Sequence, residues 1–123
     1  MVRLFTAFRF SFVVMVTVSS SMAVDWPGIE EKFEVAKAEL KRFETPKLPA
    51  GRYLFELSGS GGDADLYVRR TNPPTVITYE CRPFKNGSNE SCVMTLANPD
   101  VIHIMVRGHA LKSTVRLVGR ATT

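Results

Sequence analysis

Residues 59–68 have the sequence GSGGDADLYV, in which a glycine-rich loop gives way to an alternating strand pattern. Gly61 and Gly62 allow positive φ angles and close backbone approach, as a tight turn requires. Asp63 follows them at the start of the strand. Apolar and polar side chains then alternate as in a half-buried strand; they are Asp65, Leu66, Tyr67 and Val68. The stretch therefore predicts a turn that leads into a strand.

The rest of the chain repeats this order of turn residues and short alternating runs. Clusters of glycine, proline and asparagine separate the runs, as expected of loops. Strands are predicted near residues 40–45, 53–58, 65–69, 76–81, 93–96, 101–107 and 114–118. Six or seven short strands with regular turn signals indicate an all-β protein, either an antiparallel sandwich or a barrel.

Between residues 24 and 48, a region that includes the first of these strands, the apolar residues are spaced differently. The spacing of three and four suits one face of a helix; the residues are Ile29, Phe33, Ala36, Leu40 and Phe43. The pattern predicts a short helix or irregular lead-in over residues 28–38. We therefore expect a lead-in at residues 24–38 and a β domain at residues 39–123.

The first 23 residues have the composition of an export signal. Arg3 and Arg9 precede an apolar run over residues 10–18, and small residues follow at Ser21 and Ala23. The run is shorter than the roughly 20 residues that span a bilayer. We predict a signal peptide cleaved after Ala23, and a secreted protein, extracellular or periplasmic, that is not held in a membrane after cleavage.

The charge of the remaining chain argues against a nucleic-acid partner. Arg3 and Arg9 are the only basic residues before residue 24, so 14 of the 16 basic residues and all 12 acidic ones remain. The resulting net charge is near +2, and no run of basic residues resembles a nucleic-acid-binding arm. About 100 residues suit one small domain, which we expect to be a monomer.

Cys81 and Cys92 are the only cysteines, and in an exported chain an even pair indicates a disulfide. The alternative is two buried thiols. The loop between them carries two Asn-x-Ser sequons, at Asn86 and Asn89. We interpret both sequons as turn chemistry, unless the host glycosylates its secreted proteins.

Several motifs in order resemble those of the bacterial pre-peptidase C-terminal domain family. Besides residues 59–68, they are KRF at 41–43, PAG at 49–51, PT at 74–75, YECRPF at 79–84, NGSNESC at 86–92 and MVRG at 105–108. The resemblance implies a jelly-roll-type β-sandwich, similar to the collagen-binding domains of clostridial collagenases. It also implies a non-catalytic module of the kind usually appended to secreted peptidases.

Asp63 and Asp65 are open to two interpretations. In the structural interpretation they accept hydrogen bonds from loop N–H groups. In the functional interpretation they bind a hard cation such as calcium, which takes oxygen ligands. In the collagen-binding relatives an acidic segment supplies further calcium ligands. The corresponding residues 41–46 here read KRFETP, which has mostly the wrong chemistry. We favour the structural role and expect no required cofactor.

No combination of residues in the sequence suits catalysis. His103 and His109 are the only histidines, and neither belongs to a zinc-protease motif. Ser60 lacks the G-x-S-x-G context of a nucleophile elbow. We therefore do not expect an enzyme.

A binding surface is the remaining functional prediction. Strand alternation predicts one outward row of aromatic, basic and other side chains, formed by Tyr67, Arg69, His103, Met105 and Arg107. Such a row suits an extracellular polymer such as collagen or a polysaccharide; the alternative is an ordinary solvated face. The resemblance implies aromatic residues at Ile102, His103 and His109 that this chain lacks. Because we expect a leader and no catalytic domain, a second hypothesis is an accessory role for a secreted protease supplied in trans.

Overall fold

The computed structural model describes residues 25–122, so the predicted signal peptide at residues 1–23 lies outside the described residues. The described part contains seven strands and no helix, and hence none long and apolar enough to cross a bilayer. The strands are β1 (Ile29–Ala36), β2 (Leu40–Glu44), β3 (Gly51–Gly61), β4 (Ala64–Arg70), β5 (Glu90–Leu96), β6 (Ile102–Gly108) and β7 (Lys112–Thr122).

The strands form two antiparallel sheets that pack face to face. One sheet has the order β1-β7-β3-β5 and the other has the order β2-β6-β4. The predicted all-β antiparallel sandwich is therefore confirmed. Alternate residues of the strands fill the space between the sheets, as period-two patterning requires; the largest include Tyr53, Phe55, Leu57, Leu66, Ile102, Ile104 and Leu117.

The short helix or irregular lead-in predicted over residues 28–38 is wrong, because strand β1 occupies most of this region. β1 pairs with β7 along its whole length, from Ile29 opposite Gly119 to Ala36 opposite Lys112. Ile29, Phe33 and Val35 are its inward, partly or fully buried residues. Pairing and burial decide the structure here against the helix-forming propensity of glutamate, lysine and alanine.

The strand predicted at residues 76–81 is also wrong. Only a single bridge joins this region to a strand, between Cys81 and Val68. Residues 71–89, here called the covering segment, pass over the face of the β2-β6-β4 sheet that points away from the sandwich interior. Arg42 Nη1 of β2 donates to the Pro74 carbonyl oxygen at 2.8 Å, and His103 Nε2 lies 3.2 Å from the Thr71 carbonyl oxygen.

The covering segment buries part of the predicted outward row. Tyr67 and Met105 are opposite each other on β4 and β6, but they are only 1% and 0% exposed. Their predicted exposure is therefore wrong, because strand alternation cannot show that a distant loop returns over the outer face. Arg69 and His103 are partly buried and contact carbonyl oxygens of the covering segment.

The covering segment and the start of β5 also protect β4, which is an edge strand. The capped N–H groups belong to alternate residues, namely Ala64, Leu66, Val68 and Arg70. Their acceptors, in order, are Ser88 Oγ, Glu90 Oε1, the Cys81 carbonyl oxygen and Glu80 Oε1, at 3.1, 2.7, 2.9 and 2.8 Å. An open edge would invite pairing with another chain, so these caps make β4 unavailable for it.

Candidate binding site at the Arg82 stack

The Arg82 guanidinium lies between two aromatic rings. Its central carbon is 4.8 Å from the centroid of Tyr67 and 3.5 Å from the centroid of Phe84. Arg82 Nη2 also donates to Asp65 Oδ2 at 2.8 Å. We call Tyr67, Arg82 and Phe84 the Arg82 stack. Burial lowers the pKa of Arg82, but the hydrogen bond to Asp65 and the charges nearby outweigh burial and hold the pKa above its usual range.

Local constraints fix the position of Arg82. Cys81 is joined to Cys92 by a disulfide, which confirms the predicted pairing, and it exchanges backbone hydrogen bonds with Val68. Cys81, the residue before Arg82, is therefore held against both β4 and β5. The loop closed by the disulfide is short, so the bridge stabilises the fold by about 2–3 kcal/mol.

Phe84 combines exposure with an unusual backbone conformation. Its φ is 58°, a left-handed value that is rare for a bulky residue. The residue is 62% exposed, although Arg82 covers one face of the ring and Tyr79 contacts the ring at a centroid distance of 6.3 Å in a T-shaped arrangement. Strain of this kind persists where the surrounding structure holds it, and it is concentrated at functional sites.

The turn between β3 and β4 forms the opposite wall of the site. The Asp63 carbonyl oxygen accepts hydrogen bonds from the N–H groups of His109 and Ala110, at 2.7 and 3.2 Å. His109 Nε2 in turn lies 2.6 Å from Asp65 Oδ2. The turn requires glycine at position 62, because the φ there is +85° and a Cβ would lie 2.6 Å from the Lys112 carbonyl oxygen. Gly61 has no neighbour within 4 Å of such a Cβ.

Glu90 lies beneath the site as a buried carboxylate, only 4% exposed. It accepts hydrogen bonds from the N–H groups of Leu66 and Lys85, at 2.7 and 3.1 Å. Burial raises the pKa of Glu90, and the nearby Asp65 carboxylate adds to this, while the two N–H groups partly oppose it. Glu90 thus ties the covering segment to β4.

A cleft of about 290 Å³ opens between the stack and the β3–β4 turn, and Lys85 and Asn86 complete its lining. Asp63 and Arg82 each contribute one buried polar atom, Oδ1 and Nε, that has no hydrogen-bond partner within the described residues. The site therefore combines an exposed aromatic ring, the opposite charges of Asp63 and Lys85 in its lining, and two unpaired polar atoms. Such a combination suits binding. His109 and Asp65 are paired in the cleft, but no serine, threonine or cysteine in residues 25–122 lines it beside them.

The structure divides the predicted site residues into two groups. Asp63, Asp65 and Tyr67 lie at the Arg82 stack, whereas Arg69 and His103 lie along the strands and contact the covering segment. Arg107 is opposite Asp65 on β6 and is partly buried. Arg82 and Phe84 were not predicted, although both belong to the YECRPF motif, which was the available signal.

The calcium alternative for Asp63 and Asp65 stays a hypothesis. Asp65 Oδ2 already contacts the basic side chains of Arg82 and His109. Among residues 25–122, no three histidine, cysteine, aspartate or glutamate side chains are grouped as a metal site requires. Two carboxylates are too few for the six to eight oxygen ligands that are typical of calcium.

Comparison with known proteins gives the family of this domain. The family model described as the bacterial pre-peptidase C-terminal domain matches residues 41–108, more than half of the chain. The chain belongs to this family. Its domain is therefore of the non-catalytic type found at the C-terminus of secreted proteases, and the matches to those proteases cover the domain without the catalytic portion.

Curated relatives are much longer than this chain. A zinc metalloprotease of Helicobacter pylori is 37% identical over 68 residues, which cover 55% of this chain and 27% of the relative. The hemagglutinin/proteinase of Vibrio cholerae serotype O1 is also 37% identical over 68 residues, which cover 55% of this chain and 11% of the relative. The matched region thus covers about a quarter or less of the length of these relatives.

Two solved structures share the fold. The solution structure of vEP C-ter 100 has a TM-score of 0.60 and 26% identity, and the match covers 80% of this chain and 96% of that one. PliG of Aeromonas hydrophila, a periplasmic lysozyme inhibitor of g-type lysozyme, has a TM-score of 0.61 over 80% of this chain and 89% of its own. At 13% identity the second likeness concerns the fold alone.

Proposed function

We propose that this domain is a secreted, non-catalytic targeting module that binds an extracellular polymer through the Arg82 stack. The observation that carries the proposal is Phe84, an exposed ring held in a left-handed conformation and stacked on a largely buried guanidinium. A solvent-exposed aromatic side chain that is fixed before binding loses little conformational entropy when a ligand covers it. The disulfide and the family of secreted proteases support a location outside the cytoplasm.

The proposed site differs from the outward row predicted from strand alternation. That row has no aromatic platform, because Tyr67 is buried under Arg82. Phe84 instead offers the exposed ring, and Lys85 and Asn86 are exposed beside it. The binding hypothesis therefore moves to the covering segment.

Retention on insoluble polymers tests the proposal. The purified protein is incubated with collagen, chitin and cellulose, and Phe84→Ala is compared with Ile77→Ala. Ile77 is a matched control because it lies on the same segment, is apolar and is 86% exposed, but is not part of the cleft. We expect retention on at least one polymer to fall in Phe84→Ala and to persist in Ile77→Ala. Equal loss in both variants, or no retention of the wild type, would contradict the proposal.

A second candidate is an accessory role for a secreted protease, because the match to this chain covers only about a quarter or less of the curated proteases it resembles. In this role the domain contacts a protease supplied in trans and assists its export or folding. The result that would distinguish this role is a higher yield of active secreted protease when the domain is co-expressed with that protease. That yield would be unaffected by Phe84→Ala, whereas polymer retention would depend on Phe84.

A further inference from the structure

We infer that the ligand of the cleft is a neutral polysaccharide, in preference to collagen or a charged polymer. This inference rests on the proposed function, since it names the polymer class for the same site. It follows from the covered face of Phe84, from the balance of charge around the cleft and from its two unpaired polar atoms.

The open face of Phe84 is the first consideration. Arg82 covers one face at 3.5 Å from the centroid, and Tyr79 contacts the ring at a centroid distance of 6.3 Å. The residue is still 62% exposed, so part of the ring surface away from Arg82 is open. A pyranose ring presents a flat array of C–H groups that matches such a face in size and polarity. Aromatic walls with a few fixed polar groups are the usual composition of small-ligand sites.

The cation behind the ring disfavours a second cation in front of it. Arg82 already interacts with the negative face of the Phe84 ring system, and a positive group on the open side would be repelled by the guanidinium. Amine-bearing polymers such as chitosan, and lysine-rich peptides, are therefore poor ligands for this platform.

The charges around the cleft are balanced, so a polyanion gains little from it. Asp65 is in contact with Arg82 and His109. Asp63 and Lys85 bring one negative and one positive side chain to the remaining wall. A sulfated or carboxylated polymer needs a surplus of positive charge, which these residues do not provide.

The unpaired polar atoms suit hydroxyl groups. Asp63 Oδ1 can only accept and Arg82 Nε can only donate a hydrogen bond, and both are buried without a partner in the described part of the chain. A hydroxyl group both donates and accepts, so a sugar hydroxyl has the chemistry to pair with either of these atoms.

Collagen fits the same geometry less well. Extended proline-rich chains dock into grooves lined by several exposed aromatic rings. Here Tyr67 is buried and Tyr79 is only partly exposed, which leaves Phe84 as the single open ring of this cluster. A cleft of about 290 Å³ is at the lower end of the range of roughly 300–1,000 Å³ for ligand pockets, so it takes a short stretch of a thin polymer.

Binding isotherms on chitin, cellulose, collagen and chitosan test the inference, each at low salt and at about 1 M sodium chloride, where the Debye length is about 3 Å. We expect retention on chitin or cellulose that changes little with salt. Phe84→Ala should weaken it about tenfold, as loss of an aromatic stacking contact implies. Phe84→Trp should retain it, and melting temperatures confirm that each variant is folded.

The outcomes separate the ligand class from the site. Retention on collagen or chitosan alone, still dependent on Phe84, would overturn the polysaccharide inference and leave the proposed binding site standing. Retention on chitin or cellulose that is unchanged in Phe84→Ala, or abolished by salt, would overturn the inference about this cleft. No retention on any of the four polymers would contradict both the inference and the proposed function.

Discussion

Arg82 Nη2 donates a hydrogen bond to Asp65 Oδ2 at 2.8 Å, and the two side chains are only 13% and 5% exposed. This contact joins the GSGGDADLYV stretch to the YECRPF stretch, which are separated in sequence by the start of the covering segment. Tyr67, from the first stretch, packs against the same guanidinium. The two motifs therefore form one structural unit, and its outermost member is Phe84.

We expect Asp65→Asn to destabilise the fold by about 2–3 kcal/mol, because it leaves the Arg82 guanidinium largely buried beside a neutral group. Chemical denaturation of the purified protein measures this. The matched comparison is Asp65→Asn combined with Arg82→Met, which removes both charges. The double variant should be more stable than the sum of the single effects predicts, by about 1–2 kcal/mol. Additive effects would show that the two side chains do not depend on each other.

Ser88 should matter for stability while Ser91 should not. Ser88 is buried, and its Oγ accepts the N–H of Ala64 at 3.1 Å. Ser88→Ala therefore leaves a buried N–H without its acceptor and should cost about 1–2 kcal/mol. Ser91→Ala, in the neighbouring sequon and exposed, should change stability by less than about 0.5 kcal/mol. Equal effects in thermal unfolding would contradict the capping role of Ser88.

Glu80 and Glu90 should affect the pH dependence of stability in opposite directions. The hydrogen bond from Arg70, which outweighs burial, lowers the pKa of Glu80 below 4.5. The contribution of Glu80 to the stability of the fold is therefore fully present above pH 4.5 and is lost as the pH falls through the lowered pKa. Burial raises the pKa of Glu90 above 4.5, so the folded state binds more protons than the unfolded state and stability falls as the pH rises through the raised pKa.

Unfolding free energies measured from pH 3 to pH 8 on Glu80→Gln and Glu90→Gln test this pair. Relative to Glu80→Gln, the wild type should lose stability as the pH falls below about 4.5. Relative to Glu90→Gln, it should lose stability as the pH rises above about the same value. Parallel pH profiles for the wild type and both variants would refute the assigned environments.

Calcium should leave the melting temperature nearly unchanged. Oδ2 of Asp65 is already paired with Arg82 and His109, and two carboxylates are too few for the oxygen shell of calcium. Thermal unfolding in millimolar calcium and in excess chelator measures the difference. A large rise with calcium, lost in Asp63→Asn, would instead make Asp63 and Asp65 calcium ligands.

Strand alternation predicts the core of the sandwich but not its outer cover. Tyr53, Phe55 and Leu57 lie on a long alternating strand, so their burial follows from local pattern. In β1, by contrast, the polar residue Glu31 takes the position between Ile29 and Phe33 on the same face of the strand. The apolar residues are therefore four apart there, which resembles the spacing of a helix.

The candidate binding site could be predicted from the sequence only in part, because its contacts join segments that are distant in sequence. Tyr67 has the alternation of an outward residue, and only the return of a segment distant in sequence buries it. Phe84 takes a positive φ without being a glycine or an asparagine, so its conformation has no sequence signal. The family motif marks the stretch in which Arg82 and Phe84 occur, but contact with Asp65 and Tyr67 is what gives these residues a shared role.

The most direct test of the central claim is a map of the amide signals that move when the protein binds soluble fragments of chitin or cellulose. Heteronuclear NMR of the isotopically labelled protein provides this map. The account predicts saturable shifts that are concentrated at Phe84, Lys85, Asn86 and His109, and that are lost in Phe84→Ala. Shifts concentrated at Arg69 and His103, or no saturable shifts at all, would contradict a ligand site at the Arg82 stack.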